Sequence, residues 1–466
     1  MSGARRHPAT VTEIAAAVAA GELAPTEVVG DAINRLVEGD AHHHVVAHGL
    51  YEEAMAQARA ADDAVAHGEE LAPLHGVPIG VKDLYDIAGH PTAAGSTILA
   101  DNIAGTTATA VRRLQEAGAI VVAKTTMTEF AGAAHHPAFP APVNPYDPDR
   151  SPAGSSSGSG VAVAAGLLPA ALGSDTVASI RLPAAWNGCV GFKPSYGRVS
   201  RHGVFPLAST YDHCGPLTRT VRDADVLTRV MAGADALDPT ARLDPYGDPP
   251  DGVAGMRIGW DEAFATERVQ PVVVAASRAV ITALAAAGAH IVDVTIPLRV
   301  DAAGPYYALL RAEIAAAHRV WWPNRADEYS RSFAGILAGS AEVHRDDVIR
   351  AHEFRIGFRH AVDRLFDEVD ALVTPTSPLN APPVLPGDDV PFDDSTVGLL
   401  TFTWLWNFCG APAISIPWGL DAEGLPNSVQ LIAAPGADPV AVAAAAAAEA
   451  AAPNLPPPPT TAPTGP

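Results

Sequence analysis

A chain of 466 residues, 48% of them hydrophobic, can bury a large core, and its length alone permits roughly two to four domains. The formal net charge of −22, with no Lys/Arg run longer than Arg5–Arg6, sets most of the surface against a phosphate backbone, which excludes nucleic acid as an expected partner. Cys189, Cys214 and Cys409 form no CxxC pair, and neither a secretory leader nor an uninterrupted apolar span is visible, so the expectation is a reduced, cytoplasmic protein off the membrane.

Along the chain, Thr10 with Glu13 makes a capping box ahead of Ile14 and Val18, and Gly21 ends that helix before Pro25 and Glu27 open another. Short apolar runs at 119–123, 256–260, 290–294, 371–374, 413–416 and 428–432 predict strands; their alternation with helical patterns predicts an α/β protein. Residues 237–251, rich in Asp and Pro, predict a surface connection. Between 346 and 370, Val348, Phe354, Phe358, Val362, Phe366 and Val369 fall mostly three or four apart, predicting a helix with one buried face and its charges on the other. From Pro453 the chain is Pro, Thr and Gly with little to bury, which predicts a disordered or extended tail.

The segment 151–194 carries the most chemistry. A Gly/Ser loop, Gly154 to Gly160, offers hydroxyls, unpaired N–H groups and close backbone approach, and it leads straight into an apolar helical run, 161–168. Composition alone also allows a flexible linker, though a linker would not run directly into a buried element. Gly154–Ser155–Ser156–Ser157–Gly158 fits a GxSxG elbow with Ser156 as nucleophile, but 144–152 holds three prolines and no strand, and no histidine follows His360. A P-loop fails because Gly160 is followed by Val161 rather than Lys and Ser or Thr.

The whole stretch resembles the amidase signature, a GGSSGG loop followed by a DTGGSIR turn, which here reads Asp175–Thr176–Val177–Ala178–Ser179–Ile180–Arg181. Upstream, Gly76–Val77–Pro78–Ile79–Gly80–Val81–Lys82–Asp83 is similar to the family's lysine segment, and 124–130 to its KTNMDEF segment. Segments 191–199, 212–216, 370–375 and 410–417 follow in the family's order, so the resemblance spans nearly the full chain. It implies an α/β amidase signature fold, a large mixed β-sheet core covered by helices on both sides, in one domain over 1–452 followed by the tail 453–466.

The resemblance also implies the site. Lys82 is the base, Ser155 a relay held by a cis peptide bond, and Ser179, 24 residues later, the nucleophile. The oxyanion falls to the backbone N–H groups of Thr176, Val177, Ala178 and Ser179, while Asp175 and Arg181 fix the turn. Read by itself, Lys82 fits a surface lysine paired with Asp83 or Asp86; the apolar Val77, Ile79 and Val81 before it favour burial. Burial is required of a base, since a reference pKa of about 10.4 leaves under ~1% neutral at pH 7. Met127, Trp404 and Trp406 are expected at the substrate pocket; Trp321, Trp322, Tyr306 and Tyr307 are further candidates, with the core as the alternative. Neither His42–His43–His44 nor His135–His136 has metal-ligand spacing, so neither metal nor cofactor is expected.

Three positions depart from the pattern. Val177–Ala178 replaces Gly–Gly, and a β-branched residue resists positive φ, which would distort the oxyanion turn if the turn needs it. Ala153 replaces the first loop glycine, and Leu182 stands where the tRNA-dependent amidotransferases of the family carry Gln, which points to a free-standing hydrolase. The expected activity is cleavage of a carboxylic amide or carbamate C–N bond through an acyl-serine, as in a urethanase; the alternative is a non-catalytic binding or scaffold protein with an impaired oxyanion hole. The expected partner is a small-molecule amide or carbamate, and assembly as a homodimer is left open.

Overall fold

The computed structural model describes residues 10–299, 301–384 and 398–459. At the start, the Thr10 side chain accepts from the Glu13 N–H and Glu13 accepts from the Thr10 N–H, closing the predicted capping box on helix Val11–Ala19; Pro25 opens helix Pro25–His43. The strands are β1 (Val46–Gly49), β2 (Pro78–Lys82), β3 (Ile120–Thr125), β4 (Ala170–Asp175), β5 (Val190–Lys193), β6 (His213–Thr218), β7 (Arg257–Trp260), β8 (His290–Asp293), β9 (Ala371–Pro375), β10 (Ala413–Leu420) and β11 (Pro426–Ala433). All six predicted runs are strands, and β1, β2, β4, β5 and β6 join them.

These strands form one mixed sheet in the order β1-β3-β2-β4-β6-β5-β10-β11-β9-β7-β8. Parallel pairs lie toward the two ends, β3–β2–β4 and β9–β7–β8, and antiparallel pairs join them through the middle. Helices cover both faces: Asp438–Ala451 packs on β10 and β11, Pro271–Ala286 on β9 and β11, and Arg181–Asn187 on β5 and β10. Helix Arg345–Glu368 matches the predicted one, with Phe358 and Val362 buried against helix Ala303–His318 and its neighbours. Its charges are not all outside: Arg355 is buried, donating from Nε to the Phe408 carbonyl at 2.8 Å and stacking over Tyr211.

Residues 237–251 contain neither helix nor strand. Past helix Asp438–Ala451 the chain runs without regular structure to 459, and Tyr146 Oη donates to the Pro456 carbonyl at 3.1 Å; 460–466, the rest of the predicted tail, lie outside the described residues.

Two features of this frame place the site. Lys82 and Asp175 are the last residues of β2 and β4, parallel neighbours, so both sit at the carboxyl edge where open α/β sheets take ligands. Helix Ser157–Ala164, every residue buried, lies over those strands, and small residues let it approach. A Cβ on Gly158 would fall 2.6 Å from the Thr126 carbonyl oxygen and 2.7 Å from its nitrogen.

Candidate active site

Lys82 emerges from a strand whose Ile79 and Val81 point into the core, and its ammonium is fully buried. Nζ donates to Ser155 Oγ at 2.6 Å and to Ser174 Oγ at 2.8 Å. Burial drives its pKa down to about 7, with Asp175 and Asp212 pulling the other way, so the amine titrates near neutrality and can accept a proton. Neither Asp83 nor Asp86 pairs with it: Asp83 lies 2.9 Å from Lys124 Nζ in a separate buried ion pair.

Ser155 follows the cis Gly154–Ser155 bond, at the head of helix Ser157–Ala164, so packing of that helix fixes its distance from Lys82. Ser156 N–H donates to the Ser179 carbonyl at 3.3 Å, bringing the loop to the nucleophile's turn. Ser179 is partly exposed on a cavity wall, and its hydroxyl bonds no described residue; the Ser155–Ser179 contact of the relay is not made in this state. Catalytic hydrogen bonds of free enzymes often close only around substrate. Ser156 has no nucleophile's freedom: it is fully buried and holds the Ser174 N–H and carbonyl, both at 3.2 Å.

The turn between β4 and helix Arg181–Asn187 is built by Asp175. Its carboxylate accepts from the Ile180 and Arg181 N–H groups and forms a fully buried pair with the Arg181 guanidinium. Burial would raise the Asp175 pKa, but the Arg181 charge and hydrogen bonds, aided by Lys193 and Asn407, hold it well below the usual carboxylate range. With those N–H groups engaged, the N–H groups of Thr176, Val177, Ala178 and Ser179 bond no described acceptor; Val177, Ala178 and Ser179 line the cavity, whereas Thr176 is buried off its wall. Neither Val177 nor Ala178 has positive φ, so the exchange for Gly–Gly does not strain the turn; the positive φ is at Ala153, at 60°. Asp212, which accepts from Thr176 Oγ1 at 2.6 Å, and Tyr306, whose hydroxyl donates to the Thr176 carbonyl at 2.9 Å, brace it from behind.

The cavity in front of Ser179 encloses about 320 Å³. Its walls are apolar, with Leu182, Trp186, Leu310, Ile314 and Ile336 prominent, and no Asp, Glu, Lys or Arg among the described residues lines it. The expected Met127, Trp404 and Trp406 are not on its walls. Met127 is buried beneath Gly95, Trp404 packs on Tyr306 with ring centres 5.0 Å apart, and Trp406 is fully buried, so all three serve the core. Tyr306, Tyr307, Trp321 and Trp322 are likewise absent from the lining.

Ser174 was given no role from the sequence, Asp212 entered only as part of the segment 212–216, and His135 only as a rejected metal ligand. Ser174 is a single hydroxyl in a strand of small residues, and only its place next to Asp175 could have signalled it. His135 lines the cavity and bonds Ser157 Oγ at 2.8 Å, whereas His136 contacts the Glu328 carbonyl. Among the described residues no group of three His, Cys, Asp or Glu could hold a metal ion.

Residues 27–441 match the family described as Amidase. AmiD of Mycobacterium tuberculosis (strain ATCC 25618 / H37Rv), provisionally named an amidase, is 37% identical over 428 residues, covering 91% of this chain and 90% of its own length. The A subunit of the glutamyl-tRNA(Gln) amidotransferase from Chloroflexus aggregans is 36% identical over 458 residues, covering 92% of this chain and 93% of its own. Among solved structures, a protein of a vestigial complex, described for the evolutionary origins of an s-triazine catabolic enzyme, aligns with TM-score 0.89 and 30% identity over 95% of this chain and 98% of its own.

Proposed function

The chain belongs to the amidase family, the Ser–cis-Ser–Lys hydrolases of the amidase signature, and from that premise we propose that it cleaves a carboxylic amide or carbamate C–N bond through a covalent acyl-Ser179. The observation that carries the reading is the 2.6 Å contact between Ser155 and a buried Lys82 whose pKa lies near neutrality. Ser179 Oγ gives its proton to Ser155 Oγ as it bonds the carbonyl carbon, and Ser155 passes its own proton to neutral Lys82. The tetrahedral oxyanion rests on the N–H groups of Val177, Ala178 and Ser179. The proton returns through Ser155 to the departing nitrogen as the C–N bond breaks. Water, deprotonated by the same route, then releases the acid; a carbamate cut at its C–N bond would lose its amine first and then release a carbonic acid monoester, which breaks down to CO2 and the alcohol.

Two relatives of nearly equal identity carry different names, one an amidase and the other part of a glutamyl-tRNA(Gln) amidotransferase. Leu182 on the cavity wall and the net charge of −22 favour a free-standing hydrolase of small molecules over a tRNA-dependent enzyme. The three cysteines are free and buried, which suits the cytoplasm, and no helix among the described residues is long and apolar enough to cross a membrane.

The test is hydrolysis of aryl amides and aryl carbamates with covalent labelling by a fluorophosphonate. Wild-type protein should turn over and take label, and Ser179→Ala should do neither. Turnover that survives Ser179→Ala rules out the mechanism; an unlabelled, inactive wild type favours the scaffold reading.

A further inference from the structure

Among the described residues, one polar side chain on the cavity wall keeps a hydrogen-bonding atom that neither the protein nor the chemistry above uses. Thr128 donates its hydroxyl to the Gly132 carbonyl, Ser151 Oγ accepts the Ala153 N–H, Trp186 Nε1 donates to the Leu379 carbonyl, and Ser179 is the nucleophile. His135 remains. Its Nε2 meets Ser157 Oγ at 2.8 Å, and its Nδ1 bonds no described residue and is not among the fully buried atoms lacking partners.

The tautomer follows from satisfying the buried hydroxyl. Ser157 is fully buried, and His135 is its hydroxyl's only described partner. If Nε2 carried the proton, Ser157 would accept it and its own O–H would be left without an acceptor, a cost of about 1–3 kcal/mol. If Ser157 donates to Nε2, every buried donor is used and the ring proton sits on Nδ1. Burial pushes the ring's pKa down to about 4, so it stays neutral at ordinary pH and presents a dipole, not a charge.

We propose that His135 is a specificity-determining residue that donates a hydrogen bond from Nδ1 to an acceptor on the non-scissile part of a neutral, otherwise apolar amide or carbamate. The proposal rests on Ser179 hydrolysis taking place in this cavity. No described residue on the lining is charged, which disfavours charged substrates, since an ion meeting an apolar wall loses hydration that those residues do not replace. An apolar wall discriminates weakly among apolar groups, whereas a fixed donor penalises a substrate that leaves it unpaired.

The experiment compares hexananilide with its keto derivatives, which carry one remote carbonyl along the acyl chain. Wild type should prefer one of the keto derivatives by about 10-fold in kcat/KM. His135→Leu should erase that preference, whatever the orphaned Ser157 hydroxyl costs all substrates alike, and His135→Gln, which can still accept from Ser157, should restore part of it. Equal preference in wild type and His135→Leu overturns the proposal. So does an equal loss on every substrate, which would make His135 a brace for the loop carrying Ser155. Should wild type cleave none of these anilides, the hydrolase reading fails separately, and calorimetry on Ser179→Ala still decides: a keto derivative should bind more tightly, with the advantage lost in Ser179→Ala/His135→Leu, and equal affinities refute the role of His135.

Discussion

A lysine in water holds its proton to beyond pH 10, so Lys82 becomes a base only by giving up hydration that folding does not return in full. The shift from 10.5 to about 7 corresponds to a folding cost on the order of 5 kcal/mol at neutral pH. Two consequences can be measured. For the rate, the competent form is the neutral amine, so kcat/KM should rise about tenfold per pH unit below 7 and level off above it. For stability, the unfolded chain binds one more proton than the folded one between pH 7 and about 10.5, so wild type should gain up to about 1.4 kcal/mol per pH unit in that window relative to Lys82→Met. Lys193, also lowered to about 7 by burial, and Glu449, raised to about 7 by burial, are common to both proteins and cancel in the difference. Asp212 carries the opposite sign: burial raises its pKa to about 6, so its contribution is full below its unfolded pKa and is lost as pH rises through 6, beneath the lysine window. A pH-independent gap between wild type and Lys82→Met in chemical denaturation would refute the assignment.

Secondary-structure elements bring these residues together by close approach, and close approach is what the sequence conceals. Gly158 touches the backbone of Thr126 and Val45, atoms that cannot move aside as a flexible side chain would. Gly158→Ala should therefore lower stability by about 2–3 kcal/mol and, by lifting the helix that follows Ser155, depress kcat more than KM. A variant as stable and active as wild type would show that the packing of this helix does not set the Lys82–Ser155 distance. The same closeness explains which strands were legible. Five of the six predicted runs carry at least two of Val, Ile and Leu. The central β4 and β6 contain Gly173, whose Cβ would lie 2.7 Å from Ser156 Oγ, and Gly215, whose Cβ would lie 2.1 Å from the Phe192 carbonyl oxygen; β6 also carries Pro216. Glycine and proline at those positions serve packing and erase the β-pattern, so the strands that build the site were the hardest to read. The residues of the proposed relay, Lys82, Ser155 and Ser179, were legible as ordered motifs, and the structure brings Lys82 and Ser155 to 2.6 Å. The pocket was not, because aromatic composition does not tell a wall from a core, and Leu310, Ile314 and Ile336 come from helices distant in sequence from Ser179.

Across the whole molecule, one guanidinium joins the oxyanion turn to the far half of the sheet. Arg181 is fully buried and uses both its Nη atoms and Nε, reaching Asp175, the Val177 carbonyl, Asn407 in helix Trp404–Cys409, the Thr403 carbonyl and Gln430 in β11. The turn is therefore tied by side-chain hydrogen bonds to elements more than two hundred residues away. Replacing Arg181 by methionine keeps most of the volume but leaves Asp175 buried without its cation, and breaking such a pair costs about 3–5 kcal/mol. Arg181→Met should lower the denaturant midpoint accordingly and abolish turnover, because the N–H groups of 176–179 lose their common anchor. Asp175→Asn in the same background removes the stranded charge, so the double variant should recover about 1–2 kcal/mol of stability relative to Arg181→Met without recovering activity. If the two substitutions simply add, the pair is not what holds the turn, and the link from Ser179 to the far half of the sheet must run through Tyr306 and Asp212 behind Thr176 instead.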